Sequence, residues 1–116
     1  MRWVVLFDDS PEMMEHRKEN KQRHVDYVRQ NKSEIVIGGG FKEDQEGIFV
    51  GGMWILNVDS RDRAIDLIES DPYFNPAHRK YKLLLWERYW KMKLLSYKCS
   101  YNNQLQLTPA LPRLRN

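Results

Sequence analysis

The sequence predicts one α+β domain in which a four-stranded antiparallel sheet is covered on one face by two helices. The first observation is the length, since 116 residues suffice for one domain and are too few for two. The second is that short runs rich in β-branched and aromatic residues alternate with two stretches of helical character. The third is their order: strand, helix, strand, strand, helix, strand.

The first half of the chain predicts a strand, a long helix and a second strand. Residues 2–7 are β-branched and aromatic, and Ser10 follows as the expected cap of a helix. No breaker interrupts residues 12–32, which therefore form one long, mostly polar helix. The apolar run 35–37 predicts a short strand that is closed by the glycines Gly38–Gly40.

The second half predicts the remaining strands and a shorter helix. Residues 48–58 form a strand whose paired glycines indicate a bulge or a close backbone approach. Ser60 is the expected cap of a helix over residues 61–69. Pro72 stops this helix because the residue before a proline disfavours helical geometry. Residues 81–90 predict the last strand.

The predicted sheet has one face that the helices do not cover. The element order is the ferredoxin-like split β-α-β arrangement, in which both helices lie on the same side of the sheet. The last strand is apolar on both faces, with Leu83 and Leu85 on one and Leu84 and Trp86 on the other. An apolar face without helices is expected to meet a partner. We therefore predict a homodimer formed through the open sheet face.

The charge distribution divides the chain unevenly. Residues 1–78 hold 10 basic and 15 acidic side chains, whereas residues 79–116 hold nine basic and one acidic side chain. We place the domain at residues 1–93 and a basic tail or arm at residues 94–116, where prolines and asparagines replace any periodicity. Such a tail can indicate nucleic-acid binding, but a solvated basic segment explains it more simply, so nucleic acid is not favoured as a partner.

Several classes of protein and site are not supported by the sequence. No apolar run reaches the roughly 18 residues that a membrane span needs, and the N-terminus lacks a secretory signal pattern. Cys99 has no second cysteine with which to form a disulfide, so a cytoplasmic protein is expected. The three histidines lack metal-ligand spacing, and no metal is expected.

Two residues are candidates for acid–base chemistry. His24 lies on the long helix, two turns after Arg17 on the same face. Asp71 ends the second helix, and a carboxylate there can hold an imidazole and fix its tautomer. Plainer interpretations are a boundary histidine and an ordinary turn aspartate. Gly38, Gly39 and Gly40 leave room for a small ligand or are simply a flexible strand exit.

Two stretches together resemble the YCII-related family of small bacterial proteins, which belongs to the dimeric α/β-barrel superfamily. Residues 17–40 contain an arginine, the run HVDYV and a strand that ends in glycines. Residues 53–73 contain an apolar strand, a helix that starts at a serine, and the run SDPY. The resemblance covers about residues 1–90. Family members commonly carry Gly-Pro where this chain has Gly39-Gly40.

The resemblance implies a function and a set of site residues. It implies a cleft between helices and sheet, with no metal or organic cofactor, in which His24 and Asp71 are the catalytic pair. The reaction would be proton transfer on a small organic acid or cyclic enol-type substrate, as in lyases and isomerases. Expected substrate-binding residues are Arg17, Gly38, Gly39, Gly40 and Tyr73. The alternative is a non-catalytic module that binds a small ligand or a protein, in which His24 and Asp71 need not meet in a cleft.

Overall fold

The computed structural model describes residues 1–87, and the predictions about residues 88–116, including the boundary near residue 93 and the tail, lie outside that range. The elements are β1 (Arg2–Asp9), α1 (Met13–Gln30), β2 (Ile35–Lys42), β3 (Phe49–Asn57), α2 (Arg61–Ser70) and β4 (Arg79–Leu85). The strands pair antiparallel in the order β2-β3-β1-β4. This is the ferredoxin-like arrangement, and the predicted fold class is confirmed.

Strand β1 forms the centre of the core because its side chains alternate between the two faces of the sheet. Trp3, Val5 and Phe7 are buried on the helix side, and Val4 and Leu6 are half-buried on the other side. Helix α2 closes the core with Ala64, Leu67 and Ile68. The same buried cluster is completed by Ile35, Trp54, Leu56, Val58 and Leu83. Full burial of each large apolar side chain contributes roughly 1.5–3 kcal/mol.

Helix α1 is mostly polar and joins the core at its two ends. Met13 is fully buried at the first turn. Near the last turn, the hydroxyl of Tyr27 donates a hydrogen bond to the carbonyl of Leu67 at 2.7 Å, which connects α1 to α2. The middle of α1 is therefore available to line a site.

Neither α1 nor α2 is long and apolar enough to cross a membrane, and no other helix lies within residues 1–87.

The two predicted helix caps have different outcomes. Ser60 caps α2 as expected, since its hydroxyl accepts the backbone N–H of Arg63 at 3.0 Å. The predicted cap at Ser10 is wrong, because α1 has no side-chain cap hydrogen bond. Instead, the backbone carbonyl of Ser10 accepts from the N–H of Met13 at 3.0 Å. The turn before α1 is thus closed by backbone groups.

Two strands extend further toward the site than the sequence indicates. Strand β2 runs through its glycines to Lys42, because β3 offers a continuous antiparallel edge for pairing. Strand β4 begins at Arg79 rather than Tyr81, since Arg79 pairs in register with Asp9 at the end of β1. Both extensions lie at the end of the sheet where β1 finishes at Asp9.

Within residues 1–87, the sheet face opposite the helices carries several exposed apolar side chains. Antiparallel register aligns Ile37 and Leu84 with the outward row that contains Val4, and places Phe41 at the end of the same face. Ile37 is 55% exposed, Leu84 46% and Phe41 44%. Large exposed apolar side chains grouped on one face are typical of an interaction surface.

Strands β1 and β3 approach so closely at Gly51 that no side chain fits there. A Cβ at this position would overlap the backbone carbonyl of Phe7, which cannot rotate away. The close approach expected from the paired glycines is confirmed. By contrast, a Cβ on Gly39 would meet no atom within 4 Å.

Gly51→Ala should therefore lower the free energy of unfolding by about 3 kcal/mol, the upper end of the usual range for overpacked sites. Urea denaturation followed by far-UV circular dichroism measures this change. Gly39→Ala is the matched control and should shift the free energy by less than about 0.5 kcal/mol. Equal effects of the two substitutions would contradict the backbone contact as the cause.

Candidate active site

A cavity of about 410 Å³ lies between α1 and the helix side of the sheet. Its volume is in the range of small-molecule sites. The lining residues are Phe7, Arg17, His24, Val25, Val28, Arg29, Lys32, Gly38, Gly39, Gly40, Gly52, Trp54, Tyr73 and Arg79. Within residues 1–87, no group of three or more His, Cys, Asp or Glu side chains is placed to hold a metal ion. Every residue predicted for substrate binding lines this cavity, together with His24.

His24 and Asp71 are in direct contact at the wall of this cavity. Nδ1 of His24 lies 2.7 Å from Oδ1 of Asp71, which also accepts the backbone N–H of Tyr73 at 3.1 Å. The Asp71 side chain is 1% exposed and that of His24 is 19% exposed. Because a carboxylate accepts, Nδ1 of His24 carries the hydrogen in this contact. This arrangement has the geometry of an imidazole oriented by a carboxylate.

The loop that carries Asp71 is positioned by the end of α2 and by α1. Asp71 leaves the helix with φ −67° and ψ 132°, the extended geometry that the following Pro72 requires. His16 of α1 then holds the loop, since its Nε2 lies 2.9 Å from the carbonyl oxygen of Pro72. The amide of Asn20 lies 3.4 Å from the other ring nitrogen of His16. Helix α1 therefore contacts the loop through both His16 and His24.

Tyr73 fixes the plane of the His24 ring. The two rings are stacked, with centroids 3.7 Å apart and planes inclined by 5°. Tyr73 is buried, and this burial raises the pKa of its phenol, so that the hydroxyl is neutral at neutral pH. Stacking sets the ring plane and the contact with Asp71 sets the tautomer, so the orientation of His24 is determined in both respects.

A buried cluster of one aspartate and two arginines lies at one end of the cavity. Oδ1 of Asp9 accepts Nε of Arg79 at 2.7 Å, and Oδ2 accepts Nη2 of Arg79 at 2.9 Å and Nη2 of Arg17 at 3.2 Å. The side chains are 0%, 4% and 12% exposed for Asp9, Arg79 and Arg17. Burial opposes the charge of Asp9, but the hydrogen bonds and charges of Arg79, followed by those of Arg17, hold its pKa below the ordinary value.

Arg17 is partly committed to these protein contacts. Its Nη2 donates to the backbone carbonyl of Gly51 at 3.2 Å as well as to Asp9. Its guanidinium lies over the rings of Phe49 and Tyr73, at 4.5 Å and 5.2 Å from their centroids. Nε of Arg17 is buried and has no hydrogen-bond partner within the described residues. Nη2 of Arg17 is therefore held by two protein oxygens, and the residue also lines the cavity.

Asp9 and Arg79 are site residues that the sequence analysis missed. A signal existed for Asp9, because the alternation of Trp3, Val5 and Phe7 continues to that position and directs its side chain toward the helices. Arg79 had no such signal, since it precedes the predicted start of the last strand. Its position depends on the register of β4 against β1.

The glycines of β2 make room for aromatic side chains of β3. A Cβ on Gly38 would lie 2.8 Å from Cδ1 of Trp54, and one on Gly40 would lie 2.7 Å from Cδ1 of Phe49. Trp54 also packs edge-on against Phe7, with ring centroids 5.2 Å apart. The glycines of β2 thus leave room for the rings of Trp54 and Phe49, and Trp54 together with Phe7 lines the cavity.

The fold defines the class of protein: an α+β domain of the ferredoxin-like type. A solved structure with this fold is 5-chloro-2-hydroxyhydroquinone dehydrochlorinase from Burkholderia phenoliruptrix AC1100, in complex with 2,5-dihydroxybenzoquinone. The TM-score is 0.66 at 22% identity, over 75% of this chain and 94% of that chain.

The family follows from the sequence match. Residues 1–87 match the YCII-related domain model, and the chain belongs to this family, as the resemblance predicted. A curated relative, Aspercryptin biosynthesis cluster protein B of Emericella nidulans, is 30% identical over 79 residues. That alignment covers 61% of this chain and 51% of the relative, so the chain spans about half of that protein's length.

Proposed function

We propose that this protein is a cytoplasmic, cofactor-independent acid–base enzyme of the lyase or isomerase type, acting on a small organic acid or cyclic enol-type substrate. The observation that carries the proposal is the 2.7 Å contact between His24 and Asp71 beside a cavity of about 410 Å³. Imidazole is the side chain that most readily gives and takes protons near neutral pH. His24 also lines the cavity, so a bound molecule would lie close to its ring.

The proposed reaction begins with removal of a proton from carbon. Nε2 of His24 takes a proton from a carbon next to a carbonyl group, and the C–H electron pair moves to the oxygen as an enolate. Asp71 stabilises the imidazolium that forms. Arg17 donates to the enolate oxygen through Nε or Nη1. In an isomerisation, His24 returns the proton to another carbon; in an elimination, the electron pair forms a C=C bond and expels a leaving group.

Two comparisons support an enzymatic role. The fold neighbour is a dehydrochlorinase captured with a dihydroxybenzoquinone, and an elimination of this kind includes loss of a proton. The curated relative is a biosynthesis cluster protein. Neither comparison gives the substrate of this chain, and the proposal rests on the geometry of its own residues.

Proton transfer can be tested before the substrate is identified. The protein is incubated in deuterated buffer with a panel of 2-oxo acids, cyclic enols and unsaturated lactones, and proton NMR follows the loss of signals next to carbonyl groups. At least one compound should exchange faster with the wild-type protein than with His24→Gln. Equal rates across the panel would favour the alternative of a binding module.

We further propose that two copies associate through the open sheet face. Ile37 and Leu84 are exposed on that face. They lie in the same row across the sheet as the half-buried Val4, one on each side of it. Burial of this surface in a dimer would remove an apolar patch from water.

Ile37→Asp combined with Leu84→Asp should convert the dimer to a monomer, since charges would be buried in an apolar interface. Sedimentation velocity at micromolar concentration measures the mass. Ile48→Asp is the control, because Ile48 is 47% exposed but lies in the loop before β3. A monomeric wild-type protein would end the proposal.

A further inference from the structure

We infer that the substrate is an elongated molecule with one anionic group at each end, an inference that rests on the proposed function. One anionic group binds at the end of the cavity formed by Arg17, and the second binds at the mouth to Arg29 and Lys32, with an apolar or aromatic body between them. The anionic groups are carboxylates or phosphates. This assigns a role to two cations of the cavity that proton transfer by His24 does not use.

Within residues 1–87, the buried ion cluster at the inner end carries more positive than negative charge. Arg17 and Arg79 share the single carboxylate of Asp9, so the buried cluster has a net charge of +1. A buried net charge is costly, and an anion bound beside it offsets that cost. The Nε–H of Arg17, buried and without a partner within the described residues, is a donor ready for such an anion.

The mouth is also positive. Arg29 and Lys32 both line the cavity, and none of the lining residues within positions 1–87 is acidic. Asp26 lies 3.6 Å from Nη1 of Arg29, but the two side chains are 50% and 70% exposed. An exposed pair of this kind contributes no more than about 1 kcal/mol and leaves Arg29 available to a ligand.

The distance between the two ends favours a long ligand. Arg17 and Arg29 are 12 positions apart on α1, which is a rise of about 18 Å. Both arginines line the cavity, so a ligand that contacts both would have to be elongated. His24 lies between the two arginines, with Val25 and Val28 forming the apolar wall. A ligand held at both ends would therefore present its middle to His24.

Matched probes test the inference by isothermal titration calorimetry. The probes are 3-phenylpropionate as monoanion, 1,4-phenylenedipropionate as dicarboxylate, and 3-(4-phosphooxyphenyl)propionate as the phosphate analogue. The wild-type protein should bind at least one of the two longer probes about tenfold more tightly than the monoanion, and whichever is tighter identifies the second group. Equal affinities, including no binding of any probe, would overturn the inference.

Two variants separate the mouth from general electrostatics. Arg29→Gln with Lys32→Gln should abolish the preference for the longer probes and leave the monoanion affinity unchanged. Lys18→Gln with Lys21→Gln removes the same charge from exposed positions of α1 outside the cavity and should keep the preference. A variant at the mouth that loses only thermal stability would show that its cations merely complement the helix end, and would overturn the inference.

Failure of the two anion sites can be distinguished from failure of the proposed enzymatic function. His24→Gln keeps all four cations of the cavity and should retain the preference for the longer probes. Retained preference in a protein that catalyses no proton exchange would leave the anion sites standing and remove the enzymatic proposal. A protein that catalyses proton exchange but binds all probes equally would support the enzymatic proposal and remove the two anion sites.

Discussion

Replacing His24 by glutamine should reduce turnover of the protein's substrate by about 100- to 10,000-fold, the usual contribution of a positioned acid–base residue. Glutamine keeps a polar group beside Asp71 and a similar length, but its amide does not exchange protons near neutral pH. His24 is only partly buried, so the fold should be retained. Steady-state kinetics of NMR-detected exchange measure the loss, and circular dichroism checks the fold.

Two further variants make the result specific to the pair. Asp71→Asn removes the carboxylate that accepts from Nδ1 and should also reduce turnover, because the imidazole loses its orienting charge. His78→Gln is the control: His78 lies outside the cavity, 3.5 Å from the hydroxyl of Ser10, and should keep full activity. An active His24→Gln protein, or an equal loss in His78→Gln, would count against the proposed pair.

The largest effect on stability should come from Asp9→Asn, with a loss of about 3–5 kcal/mol in the free energy of unfolding. The substitution is nearly isosteric, but it leaves the buried guanidinium of Arg79 without its bidentate carboxylate. Glu34→Gln is the matched control, since it breaks the bidentate pair with Arg63 on a partly exposed surface and should cost no more than about 1 kcal/mol. Chemical denaturation at neutral pH measures both, and similar losses would show that burial of the Asp9 pair is not decisive.

The same pair predicts how stability depends on pH. The arginines lower the pKa of Asp9 in the folded protein below its ordinary value of 3.8, so below that pH the unfolded chain binds the proton more readily. The stabilisation is therefore complete above the unfolded pKa and is lost as the pH falls through that value to the folded one. The stability difference between the wild-type protein and Asp9→Asn should shrink below about pH 4, whereas a constant difference at pH 3 would exclude this linkage.

The sequence by itself determined the elements and much of the candidate site. Alternating apolar residues in β1, the cap at Ser60 and the stop at Pro72 are local signals, because they depend on backbone geometry within a few residues. They were sufficient for the order of strands and helices and for the fold class. The residue pattern alone left plainer interpretations of His24 and Asp71 open, and their assignment as a pair came from the resemblance to the YCII-related family.

The tertiary structure alone decided which distant residues meet. The ion pair between Asp9 and Arg79 joins positions 70 residues apart, and it depends on the register of β1 against β4. The stacking of Tyr73 on His24 and the passage of β2 through its glycines likewise require neighbouring elements to be in place. A local pattern indicates which way a side chain points, but register and packing between elements determine what it touches, and that is why the charged end of this cavity was not visible in the sequence.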